Sequence, residues 1–170
     1  MEKSYNKGSS TTVKEPKMTY DVPGVGTLDL QTIILDLNGT ISVHGALVEE
    51  VQERLTKLKE LGYKIVLFTG NTRGDADQMA AHLGIEWRLA KSAEDKRDEV
   101  LKLNPETCVS IGNGLIDLEL MKVVKLRIVT LQAEGVHVQT LLASDVVVPT
   151  IIDALDMLID SNVLVATLRR

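Results

Sequence analysis

The chain has 170 residues, a net charge of -5 and a 44% apolar share, with one Trp, one Phe and three Tyr. Net negative charge argues against a binder of phosphate backbones, and the shortage of rings argues against stacking on single-stranded nucleic acid, so no nucleic-acid partner is expected. The single cysteine, Cys108, excludes an intramolecular disulfide and suits a reducing compartment.

The opening residues, "MEKSYNKGSSTTVKEPK", are polar and lack the apolar run of a signal peptide, so a flexible leader is expected over 1–17. Residues 18–170 are expected to form a single domain, long enough for a sizeable core. In "TYDVPGVGTLDL", Pro23, Gly24 and Gly26 separate short β-prone pieces and predict a small hairpin. "TIILD" predicts a buried strand ending on Asp36. The apolar residues Leu47, Val48, Val51, Leu55, Leu58 and Leu61 follow the helical period and predict an amphipathic helix stopped by Gly62.

"KIVLFT" predicts the next strand, ending at Thr69 and Gly70. A helix over 74–83 closed by Gly84, a short strand at "EWRLA" and a helix over 93–103 opened by Ser92 as N-cap come next. "TCVSIG", "LRIVTL" and "DVVV" predict three more strands, with helices starting near Leu115, spanning 135–142 and starting at Thr150. The apolar stretch "IIDALDMLIDSNVLVATL" carries Asp153, Asp156 and Asp160 and is too charged to span a bilayer, so no membrane insertion and a cytoplasmic location are expected.

Alternating strands and helices with continuously apolar strands predict an α/β fold with a mainly parallel sheet covered on both faces. Ligands in such folds bind beyond the carboxyl ends of the strands. Those ends carry "DLNGT" at 36–40, Thr69-Gly70-Asn71, the Lys91 to Lys96 region, and Gly112-Asn113-Gly114 with Asp117. A carboxylate that can attack phosphorus, a hydroxyl beside glycine amides, an ammonium and further oxygen ligands make a set suited to magnesium-supported phosphoryl chemistry. Singly, each has an ordinary reading. Asp36 can cap a turn, Thr69 can end a strand, Lys96 can sit on a charged helix face, and Asn113 and Asp117 can be turn residues. Their order at successive strand tips is what argues for chemistry.

At this point "DLNGT", "LFTG", "SAEDKRDEV" and "GNGLID" resemble the four motifs of the haloacid dehalogenase superfamily of phosphohydrolases, from about residue 18 to the end. "LDLNGTISVHG", the "GNG" variant and the tail "SDVVVPTIIDALDMLIDSNVLVATLR" are similar to small soluble proteins named after P-type ATPases, which look like that enzyme's phosphorylation domain set free. The resemblance implies a three-layer Rossmann-like fold with Asp36 as the nucleophile that forms an aspartyl-phosphate. It implies that Thr69, with Gly70, binds the transferring phosphoryl group and that Lys96, or alternatively Lys91, stabilises its charge. Mg2+ would be held by Asp36, the Asn38 carbonyl, Asn113 and Asp117, and the substrate would be a phosphorylated molecule.

Two departures matter. Superfamily phosphatases mostly carry Asp where Asn38 stands, and that residue protonates the leaving group. An amide cannot, and the loss costs roughly 10²- to 10⁴-fold for alkyl phosphates. Asn113 replaces a carboxylate and predicts weaker Mg2+ binding. Both departures sit in Asn-Gly pairs, which predicts deamidation toward the usual acidic motifs. The intervals from Asp36 to Thr69 and from Thr69 to Lys96 leave no room for a cap, and the resemblance then implies either a macromolecular substrate or a neighbouring subunit as cover, through the N-terminal hairpin or "ISVHGAL"; a homo-oligomer is expected. His44 is expected in an exposed loop, His82 and His137 within helices, Cys108 and Trp87 in packing, and "EDKRDE" on a solvated helix face. The rival reading is a catalytically inactive phospho-ligand-binding or regulatory protein.

Overall fold

The structure, a computed structural model, describes residues 18–170, and the leader expected over 1–17 lies outside the described residues. β1 (Thr19–Val22) and β2 (Gly26–Asp29) pair as the expected antiparallel hairpin. The Gln31 N–H bonds the Thr107 carbonyl and the Tyr20 and Tyr63 hydroxyls meet at 2.6 Å. These contacts seat the hairpin at the amino-terminal end of the main sheet.

β3 (Thr32–Asp36) is buried along its whole length. It is followed by β4 (Ser42–Val43) and β5 (Ala46–Leu47), a two-rung hairpin, and only then by α1 (Val51–Glu60). The helix expected to begin at Leu47 therefore begins later. His44 and Gly45 take φ of 51° and 82° to turn the hairpin, and Glu50 takes 66° on entering the helix. Leu47 and Val48 still pack on the core, so their apolar spacing imitates a helix without helical backbone.

β6 (Lys64–Thr69), α2 (Ala76–Leu83), β7 (Glu86–Leu89) and α3 (Ala93–Leu101) follow the sequence reading closely. Beyond them lie β8 (Cys108–Gly112), a short α4 (Leu118–Met121) entered through a 3-10 turn at Leu115–Asp117, β9 (Leu126–Thr130), α5 (Val138–Ala143) and β10 (Val146–Val148). α6 (Ile151–Ile159) and α7 (Ser161–Leu168) complete the order. His137 is the N-cap of α5 and not a residue within it, because Gly135 at φ 76° keeps the preceding segment out of the helix.

The main sheet has six parallel strands in the order β10-β9-β8-β3-β6-β7. β3 is central: the chain leaves it toward β6 and β7, then crosses back to β8. That reversal is the switch point of a doubly wound sheet, where a crevice opens at the carboxyl ends. Ile33, Leu35, Ile65 and Leu67 face a core shared with α1, α6 and α7, while Ile34, Val66 and Phe68 face Val100, Leu120 and Val124 on the other side. Asp36 shares the alternation of Ile34, so its side chain leaves the sheet on the α3 side. No helix among the described residues is long and apolar enough to cross a membrane.

Candidate active site

α3 starts on a capping box. Ser92 Oγ accepts the Asp95 N–H at 3.0 Å, and Asp95 Oδ2 accepts the N–H groups of Ser92 and Lys91 at 3.0 and 2.9 Å. The fixed first turn aims Lys96 inward, where it is 1% exposed. Its Nζ lies 2.5 Å from Asp36 Oδ1 and 2.7 Å from Asp117 Oδ1. Lys96 is thus the exception to the solvated face expected for "EDKRDE". Lys91 is exposed, yet it lines the same cleft.

Asp117 Oδ2 accepts the N–H groups of Asn113 and Gly114, both at 3.0 Å, so each oxygen of this carboxylate has a partner. Asn113 Nδ2 donates to the Gly135 carbonyl at 2.9 Å, which turns the amide oxygen toward Thr40. Thr40 Oγ1 lies 3.3 Å from Asn113 Oδ1 and 3.5 Å from Asp36 Oδ2. A hydroxyl has one proton, so it cannot serve both oxygens at once. Two buried acceptors that share one weak donor fit a hard cation such as Mg2+, which takes oxygen ligands. Among the described residues no group of three His, Cys, Asp or Glu forms a metal cluster. The fit therefore rests on a mixed set of carboxylate, amide and backbone oxygens.

Burial, and then the charge of Asp117, push the Asp36 carboxyl up to about 6 against the pull of Lys96. Burial alone would lower the Lys96 ammonium, but Asp117 and Asp36 outweigh it and hold the group above its ordinary value. Burial is thus the main reason Asp36 holds its proton more tightly, with the Asp117 charge adding to it.

Thr69, at the tip of β6, is 1% exposed. Its Oγ1 accepts the Asn71 N–H at 3.1 Å, which leaves the hydroxyl proton for an oxygen in the cleft. Asp36, Asn38, Thr69, Gly70, Lys91, Lys96 and Asn113 line one cleft of about 330 Å³. All the predicted site residues except Asp117 line it, and Asp117 stands directly behind through Lys96 and the Asn113 amide. Gly39 makes the close approach feasible: its φ is 78°, and any Cβ there would strike the Asn113 side chain.

Two neighbours escaped the sequence reading. Arg73 Nε donates to Asn38 Oδ1 at 3.3 Å. Gln132 Nε2 donates to the Gly39 carbonyl at 3.1 Å and to that of Thr40, while its Oε1 accepts the Ile151 N–H at 2.9 Å. Both lie just beyond strand tips, β6 and β9, so the strand-tip rule contained the signal. The "ISVHGAL" segment, as β4 and β5, stands beside the cleft, where the His44 N–H bonds Glu134 at 2.6 Å. The N-terminal hairpin lies at the opposite end of the sheet from this cleft within the same chain.

A carboxylate, an ammonium, a hydroxyl and a backbone turn converge at the carboxyl end of a doubly wound sheet, a set chemically able to handle a phosphoryl group. The chain belongs to the haloacid dehalogenase-like hydrolase family, which residues 1–125 match. It is 30% identical over 145 residues to the soluble P-type ATPase-like phosphatase of Methanocaldococcus jannaschii, covering 81% of this chain and 53% of that one. The match to the zinc/cadmium/lead-transporting P-type ATPase of Escherichia coli is 31% over 98 residues, covering 54% of this chain and 13% of the transporter. This chain thus spans about half the length of the first relative and a small part of the second. Among solved structures, the 3-deoxy-D-manno-octulosonate 8-phosphate phosphatase of Moraxella catarrhalis, in complex with magnesium and phosphate ions and KDO, superposes with a TM-score of 0.64 at 18% identity. That match covers 82% of this chain and 94% of the other, and shows a shared fold.

Proposed function

We propose that the protein is a Mg2+-dependent phosphohydrolase that works through an aspartyl-phosphate at Asp36 and turns over slowly on alkyl phosphates. The observation that carries this reading is the Asp36–Lys96–Asp117 chain of ion pairs beneath a cleft lined by Thr69 and Gly70. Asp36 attacks phosphorus; Thr69 and the Gly70 backbone hold the phosphoryl oxygens; Lys96 balances the charge as it moves from Asp36 to phosphate. Asp36, the Asn38 carbonyl and the Asn113 amide oxygen would hold Mg2+, with Asp117 at their back. When bound, the ion would neutralise phosphoryl charge. Asn38 can orient a leaving group by hydrogen bonding but carries no proton to transfer. The substrate is a phosphorylated molecule, and with no cap in the Asp36–Lys96 intervals a second copy of the chain is the proposed cover.

The test is phosphoenzyme formation with acetyl phosphate and an aryl phosphate in Mg2+. Label that appears in the native chain and is lost in Asp36→Asn supports the proposal. No label from either donor at saturating metal would instead favour the phospho-ligand-binding reading, to which Asn38 and Asn113 point.

A further inference from the structure

An aspartyl-phosphate site must also receive a leaving group, and the cleft is graded for that purpose. Asp36, Thr69 and Lys96 are 9%, 1% and 1% exposed, whereas Asn38 is half-buried and Arg73 is exposed. In-line attack by Asp36 drives the departing oxygen away from it, toward the open mouth. Asn38 lines that mouth, and Arg73, just outside the lining, reaches it through its bond to Asn38. The mouth offers hydrogen-bond donors and no carboxylic acid: Asn38, Thr72 and Lys91 line it, and both carboxylates lie behind, held by Lys96.

Arg73 fixes the amide. Its Nε holds Asn38 Oδ1 at 3.3 Å, which leaves the Asn38 Nδ2 hydrogens for another acceptor. Nη1 of Arg73 rests against Gly45, where a Cβ would come within 2.8 Å, so the turn of the β4–β5 hairpin leaves room for the guanidinium. Among the described residues Arg73 makes no ion pair, so its outer N–H groups are available.

Building on the phosphohydrolase reading, we propose that Arg73 and Asn38 form a receiving site for a carboxylate leaving group, so that the preferred substrate class is the acyl phosphate. Asp36 attacks phosphorus and the bond from phosphorus to the acyl oxygen breaks. The electron pair leaves with the carboxylate, and no proton is required. Asn38 Nδ2 and the Arg73 fork donate to the two oxygens of the departing anion. Water then attacks phosphorus, the bond to Asp36 breaks with its electron pair returning to the carboxylate, and the released phosphate keeps the water's protons. An alkoxide would need a proton, and no carboxylic acid stands at the mouth to give it.

The experiment compares labelling rates of the full chain in Mg2+ with acetyl phosphate and with phosphoramidate, whose leaving ammonia is neutral. Arg73→Met should slow labelling by acetyl phosphate about 10- to 100-fold, the loss of charge-assisted hydrogen bonds, and leave phosphoramidate within about twofold. Lys91→Met serves as the control for simple loss of positive charge at the mouth and should affect both donors alike. Equal losses with both donors in Arg73→Met, no loss at all, or the same selectivity in Lys91→Met would overturn the proposal. Failure of the native chain to label with either donor would overturn the phosphohydrolase reading and this one with it.

Discussion

Asn113 Nδ2 donates to the Gly135 carbonyl at 2.9 Å, and that bond decides which end of the amide faces the cleft. An aspartate at this position would put a carboxylate oxygen against the same carbonyl and add a third negative charge beside Asp36 and Asp117. Asn113→Asp should therefore lower metal-free stability by about 1 kcal/mol, through the lost hydrogen bond to the Gly135 carbonyl. The added charge should also strengthen Mg2+ binding. Urea midpoints with and without Mg2+ check both halves: the variant should start lower and gain more from the metal. An unchanged metal-free midpoint would show that Gly135 does not set the amide.

Asp36 gives a stability prediction with a definite sign. Its carboxyl stands at about 6 in the fold against an ordinary 3.8, through burial and the neighbouring Asp117. Between those values the native state holds more protons than the unfolded chain, so metal-free stability falls as pH rises through that window. Asp36→Asn removes the repulsion and should stabilise the metal-free protein above pH 6 by up to about 3 kcal/mol, at 1.4 kcal/mol per pH unit. The gain should vanish near pH 4. Thermal melts of both chains across pH 4–8 in a chelator measure it. A gain that is flat with pH would mean the Asp36 charge is already compensated.

Asn38→Asp restores an acid in name, but Arg73 Nε already donates to Oδ1 of that side chain, an oxygen the variant keeps. A carboxylate there would pair with the guanidinium and resist protonation. Alkyl-phosphate turnover should thus rise only to the low end of the general acid–base range, about 10²-fold, and climb further when Arg73→Met is added. Steady-state rates with the single and double variants decide this. Full recovery in Asn38→Asp alone would show that Arg73 does not hold that side chain in solution.

Much of this architecture can be read from the chain because its strands are short, apolar and punctuated by glycine. "TIILD", "KIVLFT" and "TCVSIG" announce three central strands, and Ser92 announces the helix that delivers Lys96. The β4–β5 hairpin is harder to see, because Leu47 and Val48 fall on the helical period of the residues that follow. The choice between Lys91 and Lys96 needs three dimensions, since both reach the cleft and only Lys96 is buried and paired with Asp36 and Asp117. Arg73 and Gln132 act through partners far away in sequence, Asn38 and Gly39, so the strand-tip rule narrows where to look without naming their contacts.

The Asn-Gly pairs looked prone to deamidation, and the fold argues the other way. The reaction requires the glycine nitrogen to attack the asparagine side chain. Gly39 N–H is bonded to the Ser42 carbonyl at 2.7 Å, and Gly114 N–H to Asp117 Oδ2 at 3.0 Å. Both asparagine amides are also held, by Arg73 and by Gly135. Cyclisation at either pair would have to break these bonds first, so conversion should follow local opening and not elapsed time alone. Peptide mapping after incubation at pH 8 should show little change at Asn38 or Asn113 in the folded chain. Brief exposure to urea should accelerate both. Rapid conversion of Asn38 in the folded protein, with Asn113 intact, would show that the 36–40 turn opens on its own and that phosphatase activity can be gained by ageing.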